Sequence, residues 1–425
     1  MKVKVYPAVC SGAVRVPPSK SLAHRALLCA GLAEGTSRIT GVSSSEDMAA
    51  TCGALEALGA KVVRSGDCCT VSGCGGALFD LPETAIDCRE SGSTLRFLIP
   101  LAALGRNPVH LTGHGRLMER SQSVYETLFA QQGLRFERQN SRITVQGPLH
   151  GGKIVLDGNV SSQFITGLLF SLPLLPEDSR IEILPPFQSR GYVDLTLDTL
   201  RQFGVKAAFN GEYSLVIPGG QCYQARDAVV EGDYSQAAFF AVLSALRGGI
   251  RLANLRRDSL QGDKAIFPIL ASFGSQTRWT EGTAEILPAH LTGQRIDVSN
   301  CPDLAPILSV LGLYSEGTTV LCNAARLRDK ESDRIEAMET ELRKLGAQVE
   351  STRDSLTIHG WGNRPAFRET EVSGRNDHRV VMSLAIAATL GSAPVVIDGA
   401  EAIAKSYPDF FDDLRRIGGR AEVLS

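Results

Sequence analysis

The 425-residue chain carries almost no excess charge: 44 lysines and arginines stand against 46 aspartates and glutamates, a formal net charge of −2. A surface with so little bias attracts neither nucleic acid nor an anionic membrane as a whole, so any anion site must be local. Aromatic residues make up only 6% of the chain, which leaves little material for base-stacking platforms. No run of about 18 uninterrupted apolar residues occurs, so no membrane span is expected. Met1-Lys2-Val3-Lys4-Val5 reads as a strand and lacks the apolar stretch of a signal peptide. The ten cysteines form no second spaced pair of the kind zinc requires, and Cys68, Cys69 and Cys74 cluster on an apparent strand and turn. Cys29, Cys52, Cys222 and Cys322 lie in apolar runs and read as buried reduced thiols, which points to the cytoplasm.

What the chain does contain is a repeat. A small polar cluster opening an apolar helix recurs at Ser19-Lys20-Ser21, Ser91-Gly92-Ser93, Ser161-Ser162-Gln163, Tyr234-Ser235-Gln236, Cys301-Pro302-Asp303 and Asn376-Asp377-His378. Successive steps between Lys20, Gly92, Ser162, Ser235, Asp303 and His378 are 72, 70, 73, 68 and 75 residues. A second marker keeps the same phase: an amphipathic helix ends at Gly59, Gly133, Gly204, Gly274, Gly346 and Gly418, and a strand, a turn and another strand follow. Glycine after a helix accepts the left-handed cap that other residues resist. Two independent markers on one period define six α/β units of about 71 residues.

The first helix of each unit, such as Phe97 to Leu104 or Val380 to Leu390, is apolar nearly all round and belongs inside a core. The strands alternate, as in Arg142 to Gln146 and Ser355 to His359, so one sheet face meets water. The expected architecture is therefore α/β, with helices inside and sheets outside. The last unit stops one strand short, whereas residues 1–6 form a strand with no unit of its own. The economical division pairs residues 1–12 with 229–425 as one three-unit domain and leaves 13–228 as the other.

The odd polar residues gather at helix starts. Val16-Pro17-Pro18-Ser19-Lys20-Ser21 closes an extended segment and opens a helix carrying Lys20 and Arg25 in its first turns. Cations are disfavoured there, because helix N-termini already carry positive potential, unless an anion is bound. Arg116, Lys330, Arg334, Arg379 and Lys405 repeat the placement, and Lys330 and Arg334 share one helical face with Glu331 beside them. A solvated, salt-bridged helix end is the plain alternative for any one of them. Their recurrence describes a site for strongly anionic, phosphorylated small molecules. Asp303 and Glu331 would repel such ligands; Asp303 could be only an N-cap, but proton transfer gives both carboxylates a purpose. Ser161, Ser162 and Gln163 supply more hydrogen-bonding groups than a cap needs, and Gly92 would let a ligand approach the backbone.

These segments resemble the 5-enolpyruvylshikimate-3-phosphate synthase family of enolpyruvyl transferases from end to end. The matching runs are Pro18-Ser19-Lys20-Ser21 with Arg25, Glu90-Ser91-Gly92-Ser93-Thr94-Leu95-Arg96, Ser161-Ser162-Gln163-Phe164, Cys301-Pro302-Asp303, Lys330-Glu331-Ser332-Asp333-Arg334, Asn376-Asp377-His378-Arg379 and Lys405-Ser406-Tyr407-Pro408-Asp409. The resemblance implies two three-unit domains with the active site in the cleft between them. It also implies transfer of the enolpyruvyl group of phosphoenolpyruvate to the 5-hydroxyl of shikimate 3-phosphate. On that basis Lys20, Ser21, Arg25, Ser161, Ser162, Gln163, Ser189, Asp303 and Lys330 are expected around shikimate 3-phosphate. Lys20, Gly92, Arg116, Gln163, Arg334, Arg379 and Lys405 are expected around phosphoenolpyruvate. Asp303, Glu331 and Lys20 are the expected catalytic groups. No metal or organic cofactor, nucleic acid or membrane is expected, and the family implies a monomer and inhibition by glyphosate in the phosphoenolpyruvate site.

Three positions depart from the family pattern: Glu90 where several members have asparagine, Arg326 in place of an asparagine, and Gly191 before Tyr192 where some have proline. The nearest alternative is the sister transferase acting on UDP-N-acetylglucosamine, whose cysteine-bearing loop is missing; His114-Gly115-Arg116-Leu117-Met118 stands there. A non-enzymatic scaffold binding polyanions would want a strongly basic chain, which this is not.

Overall fold

Each repeat builds a four-stranded sheet and two helices. The computed structural model describes residues 1–362 and 369–424. The helices are α1 (Lys20–Leu32), α2 (Glu46–Ala57), α3 (Gly92–Ala102), α4 (Ser123–Gln131), α5 (Ser162–Ser171), α6 (Arg190–Gln202), α7 (Tyr234–Arg247), α8 (Ile266–Phe273), α9 (Ala305–Leu313), α10 (Arg334–Lys344), α11 (His378–Leu390) and α12 (Phe410–Arg416). The even-numbered helices close the repeats, and the glycine just past each of them, at 59, 133, 204, 274, 346 and 418, has positive φ. In each case the chain reverses there into its hairpin, a turn that a Cβ would strain.

The second repeat shows the common topology. Thr84–Asp87 pairs in parallel with Val109–Thr112 across α3, and the hairpin of Arg135–Gln139 with Arg142–Gln146 adds antiparallel strands. The odd-numbered helices α7, α9 and α11 are buried nearly throughout, whereas most strands alternate between buried and exposed. One expected alternation is broken: Thr144 faces outward yet is buried, because His110 on the neighbouring strand bonds its hydroxyl at 3.0 Å.

The chain forms two compact units, Met1–Pro17 with Glu231–Ser425 and Pro18–Val230. Each has its own apolar core. The divisions fall a few residues later than residues 12 and 228, and strand pairing explains the difference. Gly12–Arg15 pairs in parallel with Ile250–Ala253 and so stays with the C-terminal unit. Ala228–Val229 pairs in parallel with Ile39–Thr40 and stays with the other.

Lys2–Tyr6 runs antiparallel between Val395–Asp398 and Arg420–Leu424, supplying the strand that the last repeat lacks. Val3 and Val5 are fully buried, and burying such a side chain contributes about 1.5–3 kcal/mol. Deleting residues 1–6 is therefore expected to lower the melting transition of the unit containing Glu231–Ser425, measured by calorimetry. An unchanged transition would count against this role.

The cysteines are all free. Cys222 is exposed, contrary to its apolar context, because it lies in an irregular segment beyond the hairpin of the third repeat. The thiols of Cys68, Cys69 and Cys74 face different partners, Thr40, Cys52 and the Gly31 carbonyl, and do not converge.

Candidate active site

In the unit Pro18–Val230 the starts of α1, α3 and α5 carry the predicted residues. Ser19 occupies the N-cap position of α1, and Lys20 Nζ donates to Asp47 Oδ2 at 2.7 Å from the first turn of α2. A buried hydroxyl chain ties these helices together: His24 Nδ1 meets Thr51 Oγ1 at 2.7 Å, Thr51 meets Thr94 at 2.8 Å, and Thr94 donates to Ser91 Oγ at 2.8 Å. Burial, reinforced by the charges of Lys20 and Arg25, holds the His24 imidazole far below its usual range and hence neutral.

Arg25 does not point outward from the helix start. Its Nε donates to Thr196 Oγ1 at 2.9 Å, Nη2 to the Tyr192 carbonyl at 2.9 Å, and Nη1 to the Ser21 carbonyl at 2.6 Å. The guanidinium therefore braces the first turn of α1, including Ser21, against α6. Ser189 stands at the N-cap position of α6, buried, with φ at 56°. A non-glycine residue held in that left-handed region is strained and marks a position fixed by its surroundings.

Gln163 sits at the centre of the α3 and α5 starts. Its Nε2 donates to Ser93 Oγ at 2.9 Å, its Oε1 accepts from Arg96 Nη1 at 3.0 Å, and its backbone N–H is capped by Ser161 Oγ at 3.3 Å. Ser162 is the first residue of α5 and is buried. A methyl group on Gly92 would lie 2.4 Å from Arg120 Nη1, so this glycine leaves room for a guanidinium. Arg116, in contrast, is half exposed, with Nε 3.7 Å from Glu119. Glu90 lies over Gly115, where a Cβ would stand 2.6 Å from its carboxylate.

In the other unit five of the predicted residues form one ion-pair cluster. Asp303 Oδ1 accepts from Arg334 Nη1 at 2.8 Å and Lys330 Nζ at 3.4 Å, and Oδ2 accepts from Arg379 Nη2 at 3.0 Å. Arg334 Nη2 donates to Glu331 Oε2 at 2.8 Å, while Arg334 Nε donates to Asp377 Oδ2 at 2.8 Å. Asp377 also caps α11 through the Arg379 N–H at 2.9 Å. Burial alone would raise the Asp377 carboxyl, but the Arg334 charge outweighs it and the group is held below its usual range. Lys405 Nζ donates to the Asn376 carbonyl at 2.7 Å, at a turn where Arg375 and Asn376 both have positive φ. Arg326 Nη2 donates to the Ser299 carbonyl at 3.1 Å.

Beneath this cluster lies Asp263, which accepts from Ser235 Oγ. Burial, and then the Asp303 charge, push its carboxyl up to about 6. A carboxyl raised on folding binds more protons in the native state than unfolded, so stability falls as pH rises from about 4 to 6. Asp263→Asn is expected to match the parent near pH 4 and exceed it at pH 7 by roughly 3 kcal/mol. Denaturant titrations at the two pH values check this; a variant less stable at pH 7 would contradict it.

Asp47, Arg96, Arg120, Asp263 and Asp377 escaped the sequence-based set. Arg96 gave a signal, a lone cation inside an apolar helix, and Asp377 stood in a recognised helix-opening cluster. Asp47 gave none, since an acidic residue in a first helical turn is ordinary.

The family model of EPSP synthase (3-phosphoshikimate 1-carboxyvinyltransferase) matches residues 6–414. A protein of Clostridium kluyveri named 3-phosphoshikimate 1-carboxyvinyltransferase is 44% identical over 425 residues, covering 100% of this chain and 99% of its own. One of the same name from Clostridioides difficile is 41% identical, covering 99% and 98%. Among solved structures, EPSP synthase of Acinetobacter baumannii superposes with a TM-score of 0.81 at 26% identity, over 100% of both chains. The enolpyruvyl transferase NikO of Streptomyces tendae shares the fold with a TM-score of 0.79 at 16% identity, covering 99% and 98%. A repeat pattern, a fold and a family match that each run the length of the molecule leave one assignment: the chain belongs to the EPSP synthase family.

Proposed function

We infer that this chain transfers the enolpyruvyl group of phosphoenolpyruvate to the 5-hydroxyl of shikimate 3-phosphate, releasing phosphate. The observation that carries the chemistry is the cluster of Asp303 and Glu331 with Lys330, Arg334 and Arg379. Carboxylates there can move protons while the cations stabilise charge on a leaving phosphate. In the addition step the 5-hydroxyl oxygen bonds to C2 of phosphoenolpyruvate as its proton passes to Asp303. At the same time C3 takes a proton from Glu331 or Lys20. In the elimination step C3 gives that proton back and the C2–O bond to phosphate breaks, its electron pair leaving with phosphate.

Ser161, Ser162, Gln163, Lys20, Ser21, Ser189, Asp303 and Lys330 are assigned to shikimate 3-phosphate. Arg25 is assigned to shikimate 3-phosphate with them, and three of its donors also hold the first turn of α1 against α6. Lys20, Gly92, Arg116, Gln163, Arg334, Arg379 and Lys405 are assigned to phosphoenolpyruvate. The mechanism calls on no metal or organic cofactor, and a monomer in the cytoplasm is the working expectation. Among the described residues no helix is long and apolar enough to cross a membrane.

The test is phosphate release from phosphoenolpyruvate. Release that depends on added shikimate 3-phosphate, and not on UDP-N-acetylglucosamine, supports the assignment; the reverse dependence would replace it with the sister reaction.

A further inference from the structure

Of the three carboxylates that hold Arg334, Glu331 takes Nη2 at 2.8 Å, and the other two, Asp377 and Asp303, are not equivalent. Asp377 is fully buried and takes Arg334 Nε at 2.8 Å with Ser332 Oγ at 3.1 Å and the α11 N-terminus on its remaining lone pairs. Asp303 keeps 19% of its side chain exposed and takes Nη1 of Arg334 at 2.8 Å and Nη2 of Arg379 at 3.0 Å. One carboxylate is a permanent anchor that fixes the plane of the guanidinium. The other occupies the outward donors of two arginines, where solvent and solutes can reach it.

Those outward donors belong to the two residues assigned above to phosphoenolpyruvate, and Asp303 is the group assigned to accept the hydroxyl proton. A carboxylate engaged by two guanidinium groups and an ammonium is turned toward those donors rather than toward a hydroxyl proton. A ligand with phosphate and carboxylate groups offers the same donors more negative charge in the same bidentate geometry. We propose that Asp303 is a displaceable internal ligand of Arg334 and Arg379: phosphoenolpyruvate takes over these donors, and only then is Asp303 free to act as base. Asp377 keeps Arg334 in place during the exchange, so no helix has to move. The base is thereby unmasked by the substrate it must act upon. The inference rests on the roles proposed for these three residues.

The test is calorimetric titration of the full chain with phosphoenolpyruvate alone and with inorganic phosphate alone. Asp303→Asn removes the competing charge and is expected to bind both at least about 5-fold more tightly than the parent. The difference should persist at 0.5 M KCl, because competition for a buried donor survives screening whereas through-space attraction between exposed charges does not (the Debye length falls below about 5 Å). Asp303→Ser, smaller and also neutral, should give the same sign if the asparagine variant folds poorly. Equal or weaker binding in a folded variant would overturn the proposal, as would a gain that vanishes at high salt. Turnover, measured on the same preparations, judges the base assignment separately: an active Asp303→Asn enzyme would refute that role whatever its affinity.

Discussion

Asp303→Asn and Glu331→Gln are each expected to lower kcat about 10²- to 10⁴-fold, the range over which a positioned acid or base contributes. Both substitutions keep the shape of the side chain and one acceptor oxygen while removing the charge and the ability to exchange a proton at neutral pH. Their side chains are each 19% exposed and sit at the edge of the Arg334 cluster, so the fold should survive the change. Steady-state kinetics with both substrates varied separates the possibilities. A group needed only for binding raises KM at constant kcat, whereas a proton-transfer group lowers kcat and kcat/KM together. A normal kcat with a raised KM in either variant would remove it from the catalytic set. The two variants should also differ from each other in one respect: an isotope effect from deuterated C3 of phosphoenolpyruvate should grow in Glu331→Gln, where proton movement at that carbon becomes harder.

The second large effect is on stability. Arg334 is 2% exposed and joins Asp303, Glu331 and Asp377. Replacing it with alanine leaves the buried Asp377 carboxylate without its principal cation. Breaking a buried pair from one side costs about 3–5 kcal/mol. For a unit of this size that corresponds to a fall in melting temperature of roughly 10 °C at pH 7. The pH dependence gives the mechanism away. In the parent, Asp377 titrates below its usual range, so its contribution is present above that range and lost only as pH falls through the lowered value. In Arg334→Ala the abandoned carboxyl, now buried without a cation, titrates above its usual range. The deficit should therefore shrink as pH falls from 7 to 5 and the group protonates. Scanning calorimetry at both values reads it; a deficit that is constant with pH would mean that packing loss, not charge, dominates.

Much of the architecture could be read from the chain because its signals are local and repeated. A polar helix start, an apolar helix and a glycine after the second helix are each decided within a few residues, and six copies in phase make the period visible. The missing strand of the last repeat was legible for the same reason, as an incomplete copy beside a spare segment. The positions at which the chain passes between its units were less legible: residues 12–15 and 228–229 look like connectors but pair as short parallel strands. Parallel partners lie far away in sequence, so composition at the strand itself carries little information about them.

The residue types of the site were equally plain, since cations at helix starts are conspicuous against the helix dipole. Their partners were not. Asp47 beside Lys20, Arg96 beside Gln163 and Asp377 beside Arg334 are ordinary in sequence, and only folding brings them within hydrogen-bond distance. Arg25 is the instructive case: its position at a helix start predicts a ligand, but no local pattern shows that its guanidinium also reaches α6, 171 residues on at Thr196.

The sequence by itself determined the repeat, the helix-inside architecture and the kinds of charge available, because helix caps, glycine turns and apolar periodicity act over a few residues. Tertiary structure alone decided which cation neutralises which carboxylate, which arginine is a brace and which donors are left for exchange. Those outcomes depend on distances of about 3 Å between side chains that the chain itself separates by tens of residues, and at that range burial and geometry, not residue type, set the strength of an ion pair.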